Sequence, residues 1–247
     1  MKTENERFHQ FMMGSLLGDM SISKLDKGAK NYRASIAHSK AQACWAIFKW
    51  DFLNIFSLSG KLAHNKICAP RYKSCVEELR FKTKANSIFN YYRHLFYPNG
   101  IKIVPVEVLD LDAFGLAVWF FDDGYRTGRH LKGICLATHS FTSEGKDILL
   151  KLLRKKFNLK CSLQAEGTIY IWVESVPKFI ELITPFVLPC LEYKVKGSCI
   201  NRVNCKKGGD LICSQASNAL EEGSETTGGI GSLNNQLERP THESVMT

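Results

Sequence analysis

Apolar residues recur at spacings of three and four in two stretches of the chain. They predict amphipathic helices near residues 40–56, with Cys44, Ile47, Phe48, Phe52 and Ile55 on one face, and near 143–157, with Ile148, Leu149, Leu152 and Leu153. Both stripes read as core. Shorter runs with strand character cover 32–37, 76–83, 132–138, 159–165 and 168–173, and the last two are joined around Glu166-Gly167 in what reads as a tight hairpin. Two further segments, Phe11-Met12-Met13-Gly14-Ser15-Leu16-Leu17-Gly18-Asp19 and Phe114-Gly115-Leu116-Ala117-Val118-Trp119-Phe120-Phe121-Asp122-Asp123-Gly124, run an apolar helix straight into an acidic residue. A carboxylate at the end of such a helix is costly to bury unless it is paired, hydrogen-bonded or bound to a metal. Its occurrence twice points to Asp19 and Asp123 as the chemistry of the chain.

Aligned on these acids, the halves show a weak repeat, because Ala37-His38-Ser39 follows the first acid much as Ala137-Thr138-His139-Ser140 follows the second. Each half then reads as helix, two strands, helix, two strands, helix. A four-stranded antiparallel sheet built this way has one face on helices and one face free. Gly14 and Gly18, four residues apart, put two backbone-exposing positions on one helix face, and Ala117 is the expected small partner on the other helix. Close approach there would bring Asp19 and Asp123 together, and like charges that near each other call for a shared divalent cation. An all-oxygen site completed by backbone carbonyls and water suits Mg2+. Asp122 is adjacent to Asp123, but neighbouring helical residues point about 100° apart, so Asp122 is expected to offer its backbone carbonyl or a local cap.

Composition sharpens this picture further. With 247 residues and 45% hydrophobic content the chain can bury one sizeable core or two small ones. The net charge of +9 is unevenly spread: the last fifty residues hold four of the 33 Lys and Arg and six of the 24 Asp and Glu, so they are net −2 and the part before them is +11. A basic folded part favours a polyanionic partner. No Phe, Trp or Tyr occurs beyond Tyr193, so 198–247 is expected to be a disordered tail. The absence of an apolar run of spanning length or of a hydrophobic signal core predicts a soluble, intracellular protein without a membrane partner. The nine cysteines, with no Cys-x-x-Cys pair, read as buried thiols in a reducing compartment.

The two acid-ending helices resemble the signature helices of the LAGLIDADG homing endonucleases in their single-chain, two-motif form. Leu116-Ala117 begin and Asp122-Asp123-Gly124 end the second motif, while the first keeps Gly14 and Leu17-Gly18-Asp19 and has Met20 where the family prefers Gly. Pro98-Asn99-Gly100-Ile101-Lys102-Ile103-Val104-Pro105 resembles the segment closing the family's first half. Pro185-Phe186-Val187-Leu188-Pro189 with Tyr193-Lys194-Val195 resembles its counterpart, so the resemblance covers 8–195. It implies an α+β fold of two pseudo-symmetric αββαββα half-domains, 1–107 and 108–197, packed through paired helices under a saddle-shaped antiparallel β surface. It further implies a monomeric, intron-encoded, site-specific double-stranded DNA endonuclease that hydrolyses phosphodiesters with Mg2+, for which Mn2+ would substitute, in a mitochondrion or chloroplast if the host is eukaryotic. Asp19 and Asp123 would hold metal with Gly18 and Asp122 beside them, and Lys102 and Lys194 would order the attacking water or stabilise phosphate charge. The DNA-contact candidates are Arg33, Ser35, His38, Lys61, His64, Lys66, Arg71, Lys73, Arg80, Lys82 and Lys84 in the first half. Those in the second are Arg126, Arg129, Lys132 and His139. His38 and His139 also stand near the active centre by this resemblance. The alternatives are an RNA-binding maturase that assists splicing of its own group I intron RNA, and a catalytically inactive DNA-binding relative.

Overall fold

The computed structural model describes residues 3–25, 27–68, 75–128 and 132–196. The expected tail over 198–247 and the contact candidates Arg71, Lys73 and Arg129 fall outside the described residues. The chain runs α1 (Glu4–Leu17), β1 (Ser21–Ile22), β2 (Ala34–Ser39), α2 (Ala43–Ile55), β3 (Leu62–Ile67), β4 (Val76–Lys82) and α3 (Ile88–Phe96). It continues through α4 (Ala113–Asp123), β5 (Gly124–Thr127), β6 (Gly133–Leu136), α5 (Ser143–Lys151), β7 (Cys161–Leu163), β8 (Ile169–Ile171), α6 (Val176–Ile183) and α7 (Glu192–Lys196). The strands form two antiparallel four-stranded sheets, ordered β1-β2-β4-β3 and β5-β6-β8-β7. The same order twice over is the pseudo-symmetry that the repeat implied, in an α+β fold. Strands β1, β3 and β5 escape the pattern reading because they are short or polar, and pairing with a longer neighbour creates them.

Helix α1 starts with a capping box in which Thr3 accepts from the Glu6 N–H and the Glu6 carboxylate accepts from the Thr3 N–H. Helix α4 starts at Asp112, whose carboxylate accepts from the Gly115 N–H at 2.8 Å. The buried Gln10 ties the middle of α1 to the start of α4, since its Oε1 accepts from the Asp112 N–H at 2.7 Å. The helices then meet almost backbone to backbone. A Cβ on Gly14 would lie 2.3 Å from the Gly115 carbonyl oxygen, and one on Gly18 would lie 2.4 Å from Asp122 Cβ. The expected close approach is present, but its partners are Gly115, Val118 and Asp122 rather than Ala117. Ala117 is fully buried one residue, about 100°, off that stripe.

Around this pair lies one continuous apolar core, with Phe8, Phe11, Leu16, Trp45, Phe89, Trp119, Phe120 and Phe179 each no more than 1% exposed. The stripe expected on α2 is rotated. Its buried face is Cys44, Trp45, Ala46, Lys49, Phe52 and Leu53, whereas Ile55 is exposed and Ile47 and Phe48 are half-buried. The turn carries Trp45 and Lys49 towards the ends of α1 and α4. Of the described cysteines, Cys135 and Cys161 are buried thiols as expected. Cys44 with Cys190, and Cys68 with Cys75, are disulfide-bonded instead. The first bridge joins residues 146 apart in sequence, a proximity that only the folded chain creates.

Candidate functional site

Each of α1 and α4 delivers one acid to the same region. Asp19 follows Gly18 at the end of α1, and Asp123 is the last residue of α4. Asp19 keeps 38% of its side chain exposed, and its carboxylate has His38 Nδ1 at 3.3 Å. Among the described residues the Asp123 carboxylate takes no hydrogen bond or ion pair at all. Burial first, then the charges of Asp19 and Asp122, push its pKa up to about 7. Burial and Asp122 likewise raise Asp19, with Lys49, Lys194 and Lys102 opposing. Two neighbouring acids, one without a donor and both reluctant to ionise, are a donor set that a hard divalent cation fits.

Asp122 behaves in the opposite way. It is fully buried, and its Oδ1 accepts from Trp45 Nε1 at 2.6 Å and from Lys49 Nζ at 2.7 Å. Its Oδ2 accepts from Lys49 Nζ at 2.6 Å and from the Asp19 backbone N–H at 3.1 Å. Burial pushes Asp122 up, but Lys49, His38 and these bonds overcome it and hold the pKa below the usual carboxylate value. Its side chain is thus satisfied by protein. Asp19, His38 and Asp122 place ligand-type atoms within 4.8 Å of one another, yet Lys49 already occupies both oxygens of Asp122. His38, 3% exposed, is held neutral with its pKa lowered to about 4 by burial and by Lys49.

Lys102 and Lys194 cap the two helix ends. Lys102 Nζ donates to the carbonyls of Gly18 and Met20 at 3.0 and 3.2 Å, on either side of Asp19. Lys194 Nζ donates to the carbonyls of Phe121 and Asp122 at 2.6 and 3.2 Å. An ammonium group on the last carbonyls of a helix complements the negative end of its dipole. Burial lowers both lysine pKa values, and the nearby acids oppose the shift. The carbonyls of Gly18 and Asp122 therefore each carry one lysine bond, leaving a second lone pair on each oxygen. Three carboxylates, Asp19, Asp122 and Asp123, face three ammonium groups, Lys49, Lys102 and Lys194. Sequence reasoning passed over Lys49 and Trp45. The signal was there, since Trp45, Lys49, Phe52 and Leu53 sit at helical spacings with a charge in the middle of an apolar face.

Strand register sorts the contact candidates by face, because directly paired residues share a side of the sheet. Ile36 pairs with Phe81 and both are buried against the helices, so Ser35 with Lys82, and Ala37 with Arg80, point to the free face. Arg33, Lys61 and Lys84 continue that face and line one cleft with Arg80 and Lys82. Arg80 pairs with Glu78 at 3.0 Å. Lys66 pairs opposite Glu77, and His64 opposite Leu79, on the helix side, so neither belongs to the free face. Arg126 stands opposite Ile134 and is likewise on the helix side. His38 moves too: it is buried between the acids and is not on a binding face. His139 is exposed in the turn after β6, and Thr138 holds the buried position corresponding to His38, bonding the Gly167 carbonyl at 2.7 Å. Lys132 is exposed just before β6. The second sheet's free face carries Tyr125, Tyr170 and Ser162 in place of lysines and arginines.

A cation held by Asp123 would have to displace its proton. Affinity for a divalent cation there is therefore expected to rise about tenfold per pH unit below about pH 7 and to level off above it. Calorimetric titration between pH 5.5 and 8.5 measures this, and a pH-independent affinity would remove Asp123 from the ligand set.

A family model described as the LAGLIDADG DNA endonuclease family matches residues 9–179. The chain is 28% identical over 199 residues to the cytochrome b mRNA maturase bI2 of Debaryomyces hansenii, covering 75% of this chain and 72% of that one. It is 35% identical over 126 residues to the intron-encoded endonuclease ai4 of Dictyostelium discoideum, covering 48% of this chain and 77% of that one. Among solved structures it is similar to the homing endonuclease I-WcaI bound to its DNA recognition sequence, with a TM-score of 0.67, 24% identity, and coverage of 78% of this chain and 86% of that one. No described helix is long and apolar enough to cross a membrane.

Proposed function

This chain belongs to the LAGLIDADG DNA endonuclease family, and we propose that it is an intron-encoded, site-specific endonuclease that cuts both strands of duplex DNA in a divalent-cation-dependent reaction. The observation that carries the reading is the delivery of Asp19 and Asp123 to one place by two helices packed at glycine-to-backbone distance. The half-domains, 1–107 and 108–197, each supply one acid, one lysine on a helix end and one sheet. Asp19 and Asp123 would hold Mg2+, with Mn2+ as a substitute. When bound, the cation supplies Lewis-acid charge at the phosphate and eases ionisation of water. The chain's own contribution is placement. Lys102 and Lys194 fix the carbonyls around the acids, the buried Lys49 balances Asp122, and the basic free face of the first sheet holds the phosphate backbone. The protein acts as a monomer, since both acids come from one chain.

The test is cleavage of two duplexes, one carrying the uninterrupted sequence of the host gene and one with the intron in place. Double-strand cleavage of the first alone is expected, and failure to cut either with Mg2+ or Mn2+ would overturn the reading. A second reading, an RNA-binding maturase acting on its own intron, is favoured by the similarity to the Debaryomyces maturase. Splicing assistance that survives Asp19→Asn and Asp123→Asn, without cleavage by the parent, would select it.

Arg33, Lys61, Lys82 and Lys84 are exposed, and among the described residues they take no ion pair. Their free-face setting predicts a steep salt dependence of DNA binding. About six phosphate contacts give a log–log slope of roughly −5, and replacing Lys82 and Lys84 with Gln should make it shallower by about 2. An unchanged slope would exclude this face from the interface.

A further inference from the structure

The carboxylate of Asp122 belongs to the second half of the chain, yet the groups bonded to it belong to the first: Trp45, Lys49 and the Asp19 backbone N–H. His38 Nε2 stands 3.8 Å away, and Gly18 presses against it so closely that a Cβ there would lie 2.5 Å from Oδ2. The corresponding position one residue before the other acid is Gly18, which has no side chain to return the contact. The tie is one-way. At the end of α1 the N–H groups of Gly18 and Met20 bond back into their own helix region, to Gly14 O at 3.2 Å and Ser15 O at 2.9 Å. The N–H of Asp19, between them, is the one that crosses to Asp122. On the other side, Asp123 is held within its own half, its carbonyl accepting from the Ala137 N–H at 3.0 Å.

We propose that Asp122, locked by Lys49 and Trp45, is a positioning residue that fixes the backbone of Asp19 and not that of Asp123, so that of the two strands, each cut beside one of these acids, only one depends on it. The proposal rests on the reading of Asp19 and Asp123 as the cleavage acids. A buried ion pair contributes little stability that apolar side chains could not supply. Its placement on the backbone of a half-exposed reactive acid therefore points to orientation. Among the described residues the Asp19 carboxylate has an ion pair with His38 alone, so where it points depends on how its backbone is fixed. A bond to an ionised acceptor is stronger than one between neutral groups and holds that backbone with little play. Lys49 contributes by keeping Asp122 ionised and in one rotamer, its own ammonium being fully buried in α2.

The test is the double substitution Asp122→Ala with Lys49→Met, which removes the acceptor and both charges together so that no unpaired ion is left in the core. Two readouts are taken. In the DNA-free protein, hydrogen exchange of the Asp19 amide is expected to accelerate at least about tenfold while amides in the middle of α1 and α4 keep their protection. On end-labelled duplex, one strand is expected to be cut at least about tenfold more slowly relative to the other than in the parent, so that nicked product accumulates; a displacement of about an ångström suffices for such a loss. Asp122→Asn with Lys49→Met returns a neutral acceptor and is expected to restore Asp19 protection and most of the strand balance. Unchanged Asp19 exchange, or equal slowing of both strands in a folded protein, would overturn the proposal. If the parent cuts neither strand, it is the endonuclease reading that falls, and Asp19 exchange still decides the positioning role.

Discussion

An Asp123→Asn protein is expected to bind its DNA nearly as well as the parent and not to cut it. In the proposed reaction the acid supplies cation-binding charge, worth several kcal/mol to charge development at phosphate, so loss of about three orders of magnitude or more in rate follows. Asn keeps the shape and removes the charge. The same substitution has a second, opposite consequence for stability. Burial and like charge push the Asp123 pKa up to about 7, well above the value of 3.8 expected for the unfolded chain. The folded state therefore binds this proton more tightly than the unfolded state, and the group's contribution to stability falls as pH rises from about 4 to about 7. His38 titrates in the same range with the other sign, so the comparison is made between variant and parent, where its contribution cancels. Asp123→Asn should be no more stable than the parent near pH 4 and should gain on it steadily up to pH 7 in metal-free buffer. Its neighbour gives the reverse. Asp122→Asn breaks the buried pair with Lys49 and should cost about 3–5 kcal/mol. Thermal melts of the two variants across pH, beside plasmid cleavage, check both. A destabilised Asp123→Asn together with a neutral Asp122→Asn would mean that the roles of the two acids are exchanged.

Gly18→Leu is expected to abolish cleavage while leaving most of the protein folded. The added Cβ alone would sit 2.4 Å from Asp122 Cβ and 2.5 Å from its Oδ2, and neither atom can retreat, because Lys49 and Trp45 hold the carboxylate from behind. The ends of α1 and α4 must separate. Overpacking of this kind costs about 1–3 kcal/mol, a fraction of what a shared core of this size contributes. Catalytic geometry is less forgiving, since a shift near 1 Å at the reacting groups costs about a hundredfold. Cleavage rate should therefore collapse while the melting temperature falls by only a few degrees. Substitution at Gly128, where a Cβ would meet nothing within 4 Å, separates this wedge from a generic glycine effect, although its φ of +77° carries a local strain of its own. A Gly18→Leu protein that cuts like the parent would mean that the two helix ends need not stay in contact for the reaction.

The amino-acid sequence by itself determined the two acid-ending helices, the twofold repetition, the α+β layout and the basic character of the part before residue 198. Each of these is a one-dimensional signal: apolar runs with period 3.6 or 2, glycines four apart, a charge count. Asp19 and Asp123 were legible because each ends an apolar helix, and Lys102 and Lys194 because their segments resemble those closing the family's two halves; the structure brings all four to the ends of α1 and α4. The tertiary structure decided everything that depends on which face meets which. It rotated α2 so that Lys49 and Trp45 became partners of Asp122, and set Gly14 against Gly115 and Gly18 against Asp122 rather than Ala117. It sent His64, Lys66 and Arg126 to the helix side of their sheets, and joined Cys44 to Cys190 across 146 residues. The physical reason is the same in each case. A helix of mixed apolar character has several faces of similar hydrophobicity, and strand parity is fixed only once a register is chosen. Burial of a particular lysine or carboxylate becomes tolerable only when its counter-charge, far away in sequence, arrives in hydrogen-bonding contact.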